Sequence, residues 1–265
     1  MTPFVAALPM YDWPQTRAET DALWARIRNA LRGQGIDAPE RLARRNADLP
    51  PVPGGILDAA GRLLAPDPAT LPPDGFDVVA LWHHPRLVFA QTCWGPMELG
   101  LAEHVRVVAQ PDYSAWEGGR GERYSSAIVM RRGAASAVAA PADGAAAIPI
   151  EAMRGKRLAF NGSDSMSGII ALTRDLEAAG ESLDLFSARL ETGAHRASVA
   201  AVARGEADVC AIDCRSWALV RRFDAAAGAV EAVGWTAQRK GLPYIAARGG
   251  PAYTLDIGAL APDAA

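Results

Sequence analysis

The 265-residue sequence predicts an α/β protein with mainly parallel sheets. Three observations carry that reading. Short apolar runs that fit strands alternate with runs of 3.6 periodicity that fit helices. Several helical runs end at a glycine, as at Gly33, Gly180 and Gly205. Hydrophobic residues make up 50% of the chain and charged residues 22%, which is enough apolar surface for one large domain or two lobes.

The composition excludes fibrous, collagen-like and wholly disordered classes. A net charge of −3 and a pI near 5.8 provide no basic field for a polyanion. Nucleic-acid binding is therefore not expected, and an anionic ligand needs a local site. No run approaches the roughly 18 apolar residues that would cross a bilayer. The stretch from Met1 to Met10 has neither the basic region nor the small-residue cleavage site of a secretory signal. That leaves two expectations open, a cytoplasmic protein or the mature form of an exported one. Three cysteines, Cys93, Cys210 and Cys214, match no redox or zinc pattern and read as small buried residues.

The elements follow in order. Phe4 to Leu8 reads as a buried strand closed by Pro9, delivering Tyr11 and Asp12 to its carboxyl end. Thr16 and Glu19 form a capping box, and Leu23, Trp24, Ile27, Ala30 and Leu31 lie on one helical face, closed by Gly33 and Gly35. Residues 46 to 75 read as loop with one short strand at Gly55-Ile56-Leu57. Asp77 to Trp82 and Leu87 to Gln91 read as strands, the second running into Thr92-Cys93-Trp94-Gly95-Pro96. Val105 to Ala109 is another strand, Gly118 to Gly121 a flexible loop, and Tyr124 to Met130 a strand after it. Ala134 to Ala147 is an Ala-rich surface segment.

Arg157 to Asn161 is a strand, Gly162 to Ser167 a polar loop, and Gly168 to Ala179 a helix with Ile169, Leu172 and Leu176 on one face. A second helix spans His195 to Arg204, followed by a strand from Asp208 to Ile212 that ends at Asp213. Trp217 to Phe223 reads as helix, Val230 to Trp235 as strand and Leu242 to Ala247 as extended chain. In such folds ligands sit outside the carboxyl ends of the strands.

The chemistry concentrates in Gly162-Ser163-Asp164-Ser165-Met166-Ser167-Gly168. Three hydroxyls at alternate positions precede a helix, where unpaired N–H groups and the helix dipole favour an anion. One serine would suffice as a cap, so Ser163, Ser165 and Ser167 point to an oxyanion cradle. The turn has no lysine and does not match the phosphate loop of nucleotide enzymes, which argues against ATP or GTP. His195 and Ser198 share a face at the start of the next helix, where His195 can donate to an anionic oxygen. Asp213 can accept from a ligand hydroxyl or amine, or cap the helix that follows it. Ser165, His195 and Asp213 also suggest a hydrolase triad, but the turn lacks the G-x-S-x-G elbow. His83, His84 and His104 have no zinc-site spacing, so neither a metal nor a cofactor is expected.

These blocks resemble a known family, the phosphate/phosphonate-type (PhnD-like) substrate-binding proteins of ABC importers. The resemblance rests on Leu8-Pro9-Met10-Tyr11-Asp12, Gln91-Thr92-Cys93, Tyr124-Ser125-Ser126-Ala127-Ile128-Val129, Gly155 to Asn161 running into Ser163 to Gly168, Gly193-Ala194-His195-Arg196-Ala197-Ser198, Ala207 to Asp213, and Gly241-Leu242-Pro243-Tyr244-Ile245. They occur in order from residue 4 to residue 247. Where relatives are expected to carry Gly-Tyr-Pro after the cysteine, this chain has Trp94-Gly95-Pro96.

The resemblance implies a two-lobed periplasmic binding protein type 2 fold, with the ligand cleft between lobes that close on it. Lobe one would hold residues 1–115, lobe two residues 116–238, and residues 239–265 would return to lobe one as a short segment without the amphipathic helices expected there. The implied ligand residues are Ser163, Ser165, Ser167, His195, Ser198 and Asp213, with Tyr11, Gln91, Thr92 and Tyr124 from lobe one and the hinge. The expected function is solute binding for an ABC importer, without catalysis, of a small oxyanion such as phosphate or phosphonate. The partners implied are that oxyanion and a membrane permease, the chain itself being a monomer in the periplasm. Two other readings stand beside it: a cytoplasmic ligand sensor on the same fold, and an enzyme acting on a small phosphorylated metabolite.

Overall fold

The computed structural model describes residues 3–260. The chain forms two compact units, one from residues up to Pro111 together with those from Leu242 onward, the other from Asp112 to Gly241.

The first unit begins with β1 (Val5–Ala7) and α1 (Arg17–Gly33), then a small hairpin of β2 (Ile56–Leu57) and β3 (Leu63–Ala65). It continues through α2 (Val78–His83), β4 (Leu87–Gln91), α3 (Trp94–Glu98) and β5 (Val105–Ala109). The second unit opens with the short strands β6 (Gly119–Arg120) and β7 (Arg123–Tyr124), followed by β8 (Ser126–Arg131), α4 (Ile150–Met153) and β9 (Arg157–Phe160). After it come α5 (Ala171–Ala178), β10 (Ala188–Glu191), α6 (His195–Arg204), β11 (Val209–Asp213), α7 (Cys214–Phe223), β12 (Val230–Trp235) and β13 (Arg239–Lys240). The chain returns to the first unit as β14 (Tyr244–Ala247) and α8 (Ile257–Leu260).

Both main sheets are mixed. In the first unit the order is β1-β4-β14-β5, with β14 antiparallel to both neighbours. In the second it is β10-β9-β11-β8-β12, with β8 antiparallel to both of its neighbours. Each sheet thus points one way except for a single reversed strand, so the strand ends that carry the polar loops gather on one side of each sheet.

The cores follow the sequence pattern. Trp24, Ile27 and Leu31 of α1 pack on Val88, Phe89 and Tyr244 of the first sheet, while Leu81, Trp82 and Leu87 fill its other face. In the second unit Ile128, Leu158, Leu172, Leu176 and Val209 form the corresponding cluster. Each such side chain contributes on the order of 1.5–3 kcal/mol by leaving water.

Several expectations are corrected. Asp77 to Trp82 is not a strand: residues 78–83 are helical, because the Asp77 carboxylate accepts the Ala80 N–H at 2.8 Å and starts the helix. An apolar run this short has no periodicity to separate the two states. Thr16 does not form a capping box; its hydroxyl donates backward to the carbonyls of Tyr11 (2.7 Å) and Trp13 (3.1 Å), pinning the loop after β1. Gly118 to Gly121 is not a flexible loop. Gly119 and Arg120 form β6 of a three-stranded sheet with β7 and β13, the Gly119 N–H donates to the Trp116 carbonyl, the Gly121 carbonyl accepts the Tyr113 N–H, and a Cβ on Gly119 would lie 2.0 Å from the Tyr113 carbonyl oxygen. The expected strand from Tyr124 divides between β7 and β8, since the Ser125 N–H turns to the Gly118 carbonyl. The helix after the serine-rich turn starts as a π-helical turn, Met166–Ile170, before α5. The expected helix at Trp217 starts earlier, at Cys214, under an Asp213 cap.

The returning segment needs no long helix to be anchored. Ile257 is buried in the α1 cluster with Tyr253 and Leu255 packed against it. The Tyr253 hydroxyl donates to the Val88 carbonyl, and the Thr254 N–H donates to Gln34 Oε1 at 3.1 Å.

Candidate functional site

The register of the second sheet assembles a row of polar residues at one end. β9 and β11 are parallel neighbours and end toward Asn161 and Asp213. β8 runs the other way, which places its first residue, Ser126, opposite Asp213. Thr236 follows β12 and closes the row: its Oγ1 accepts the Ser126 N–H at 2.8 Å, and its own N–H donates to the Ser126 carbonyl at 2.9 Å. Ser126, Asp213 and Thr236 are all buried.

The serine-rich turn follows β9. Ser165 caps the π-helical turn by accepting the Gly168 N–H at 3.0 Å, and its carbonyl takes both the Ile169 and Ile170 N–H groups. π-helical turns of this kind occur frequently at functional sites. A Cβ on Gly168 would come within 1.9 Å of Asn161 Oδ1, so any other residue here would displace the Asn161 amide. Ser165 and Ser167 are buried, whereas Ser163 is exposed to solvent.

Ser167 Oγ lies 2.8 Å from His195 Nε2, and the same nitrogen is 3.6 Å from Asp213 Oδ2. His195 is the first residue of α6, whose N-cap is Ala194, a residue with no capping side chain. Ala194 thus offers the first N–H groups of that helix no side-chain acceptor. Burial holds the His195 pKa below its ordinary value, with the Asp213 carboxylate opposing that shift, so the ring is neutral at pH 7. Asp213 caps α7, its Oδ1 accepting the Ser216 N–H at 2.9 Å, while its Oδ2 faces His195.

A hydrolytic relay needs serine and carboxylate on opposite imidazole nitrogens. Here both Ser167 and Asp213 approach Nε2, and the buried Nδ1 has no partner among the described residues. Ser165 turns its hydroxyl to Gly168 rather than to the histidine. The triad suggested by residue types is not assembled.

The other sequence-derived candidates are placed as follows. Ser198 is fully buried, its hydroxyl engaged with Thr192 Oγ1 at 2.7 Å and the Ala194 carbonyl at 3.3 Å, so it shapes the entry to α6. Tyr124 is buried against Tyr113, ring centroids 5.3 Å apart. In the first unit, Gln91 donates to the Leu242 carbonyl at 3.3 Å, and the Tyr11 carbonyl accepts from Thr16. Thr92 is fully buried, and its hydroxyl lacks a partner among the described residues.

Asn161 and Ser126 escaped the sequence reading as site residues. Asn161 Oδ1 and Ser126 Oγ are buried and without a partner among the described residues, flanking the turn and Asp213 respectively. A buried unpaired polar atom costs about 1–3 kcal/mol unless something satisfies it. Asn161 directly follows β9, before the serine turn, a position legible in sequence; Ser126 is marked only by strand register. Among the described residues no group of three or more His, Cys, Asp or Glu is arranged to hold a metal. Burial pushes the Cys210 and Cys214 thiols up, which makes them poor nucleophiles.

Two α/β units, each a mixed sheet flanked by helices and linked by two chain crossings, define the periplasmic binding protein type 2 fold. The chain belongs to the family of periplasmic substrate-binding proteins of phosphonate ABC transporters, whose profile matches residues 94–249. That family is periplasmic and serves ABC permeases. Among solved structures, the chain is similar to PhnD1 from Prochlorococcus marinus in complex with methylphosphonate, at 14% identity over 92% of this chain and 76% of that one, TM-score 0.58. It is similar to a binding protein component of an ABC phosphonate transporter from Pseudomonas aeruginosa, at 10% identity over 95% and 70%, TM-score 0.59. A Xanthomonas citri protein bound to ATP matches at 15% identity over 94% and 78%, TM-score 0.53. No curated protein matches the chain significantly.

Proposed function

We propose that this binding protein takes a small phosphonate or phosphate on the turn Ser165 to Ser167 and the start of α6, and delivers it to an ABC permease without transforming it. The observation that supports this most is the convergence of Ser167 and His195 at 2.8 Å beside a helix start that has no cap of its own. Hydroxyl and backbone donors hold an oxyanion through oriented dipoles, as a site built without lysine or arginine requires. Asp213 sets a condition on the ligand. Its carboxylate repels a bare oxyanion, so a proton must lie between them, supplied by the ligand or by His195 Nε2. A monoprotonated phosphonate or one with a hydrogen-bond-donating substituent meets that condition. Service in the periplasm follows from the same reading.

Calorimetry with methylphosphonate, phosphate and sulfate tests it. Hydrogen bonds to charged groups are worth about 1.5–3 kcal/mol, so Ser165→Ala with Ser167→Ala lowers affinity for the best ligand by roughly 10- to 100-fold. Unchanged affinity in that variant overturns the assignment.

A further inference from the structure

We propose that the first unit carries a second anion site, separate from the serine turn, for a small molecule bearing a di- or triphosphate. Beside the edge strand β1 lies an open concavity of about 710 Å³, walled by Phe4 and by Arg17, Arg41, Arg44 and Arg45. That volume is in the range of small-ligand sites.

The carboxylates nearby are already committed. Asp12 is clamped by both arms of Arg44, at 2.6 and 3.0 Å. Asp48 accepts the backbone N–H groups of Arg44 and Arg45, both at 3.0 Å, and the Arg45 side chain at 3.2 Å. Asp74 is 89% exposed and only reaches Arg45 at 3.6 Å. Arg17 stands 4.0 Å from the Asp12 that Arg44 already holds, and Arg41 is exposed with no ion pair among the described residues. The lining holds four arginines and two aspartates, and just outside it Asp12 and Asp21 pair with Arg44, Asp21 at 2.9 Å, so Arg17 and Arg41 are the two guanidiniums left to a ligand.

The wall is also fixed in place, because the Ala43 N–H donates to the Ala6 carbonyl at 2.7 Å and ties the arginine segment along β1. Guanidinium forks match phosphate oxygens in pairs. One phosphate would occupy one fork; guanidiniums spread around a concavity of this size call for two or more linked phosphates. Phe4, whose ring Arg86 covers at 3.8 Å, adds an apolar wall for the rest of the molecule.

Inorganic pyrophosphate is the probe, titrated calorimetrically at about 150 mM salt, where long-range attraction between exposed charges is screened. The Ser165→Ala/Ser167→Ala chain should still bind it. The Arg17→Ala/Arg41→Ala chain should lose at least tenfold in pyrophosphate affinity and keep its full methylphosphonate affinity. Both arginines are exposed, so folding is expected to be retained, and an unchanged melting temperature checks this. Absence of pyrophosphate binding to the unaltered chain up to about 10 mM, or its loss with the serines rather than the arginines, overturns the proposal. Loss of methylphosphonate binding with the serines tests the serine-turn reading on its own.

Discussion

Ser167 Oγ and His195 Nε2 stand 2.8 Å apart, so one hydrogen bond joins the turn after β9 to the first residue of α6. Replacing His195 with Ala leaves Ser167 without that partner, and methylphosphonate affinity should fall by about tenfold, the worth of one hydrogen bond of about 1.4 kcal/mol. His195→Gln, which keeps a donor, should recover part of the loss. Equal affinity in all three chains would remove His195 from the site.

Acid should destabilise the fold through its histidines. His195 and His84 both have pKa values lowered chiefly by burial. His84 is completely buried; its Nε2 lies 3.0 Å from the Pro50 carbonyl and its Nδ1 accepts the Arg86 N–H, an arrangement that holds the ring neutral. The unfolded chain takes up these protons near pH 6.5, before the folded chain does. Stability is therefore full above that pH and declines as pH falls through it toward the lower folded values. Melting temperature measured from pH 7.5 to 5 should drop, and less steeply in His195→Gln. A flat profile would contradict the burial argument.

Asp175 on α5 and Arg239 on β13 form a mostly buried pair at 2.6 Å, and Asp175 also accepts the Ala237 N–H at 2.8 Å. Breaking such a pair strands a buried charge, at a cost of about 3–5 kcal/mol. Asp175→Ala should thus unfold at markedly lower urea, and adding Arg239→Met should restore part of the midpoint. If the double variant is no better than the single, the stranded charge is not the cause.

Gly119→Ala tests the hairpin that replaced the expected loop. The added methyl meets the Tyr113 carbonyl, a backbone atom that cannot swing aside, so a loss of about 1–3 kcal/mol is expected in denaturant unfolding. Gly121→Ala, with no atom near the new Cβ but a φ of +54°, should cost about 1 kcal/mol, chiefly from backbone conformation. Equal, small effects would mean that the contact relaxes freely.

Local chemistry in the sequence determined much of this protein. The limits of α6, the strand before the serine turn and the membership of the α1 face were all readable, because periodicity and glycine stops act within a few residues. Those same blocks, in their order, pointed to the family. Tertiary structure decided what local signals leave degenerate. Val78 to Trp82 is apolar throughout, and only packing of Ala80, Leu81 and Trp82 beneath a capping Asp77 selected helix over strand. The meeting of Ser167, His195 and Asp213 depends on β9, β11 and α6 being brought together, a non-local pairing that spacing in the chain does not encode. Ser126 and Asn161 acquire significance only there, because whether a hydroxyl or an amide oxygen lacks a partner depends on the register of neighbouring strands and the burial they impose.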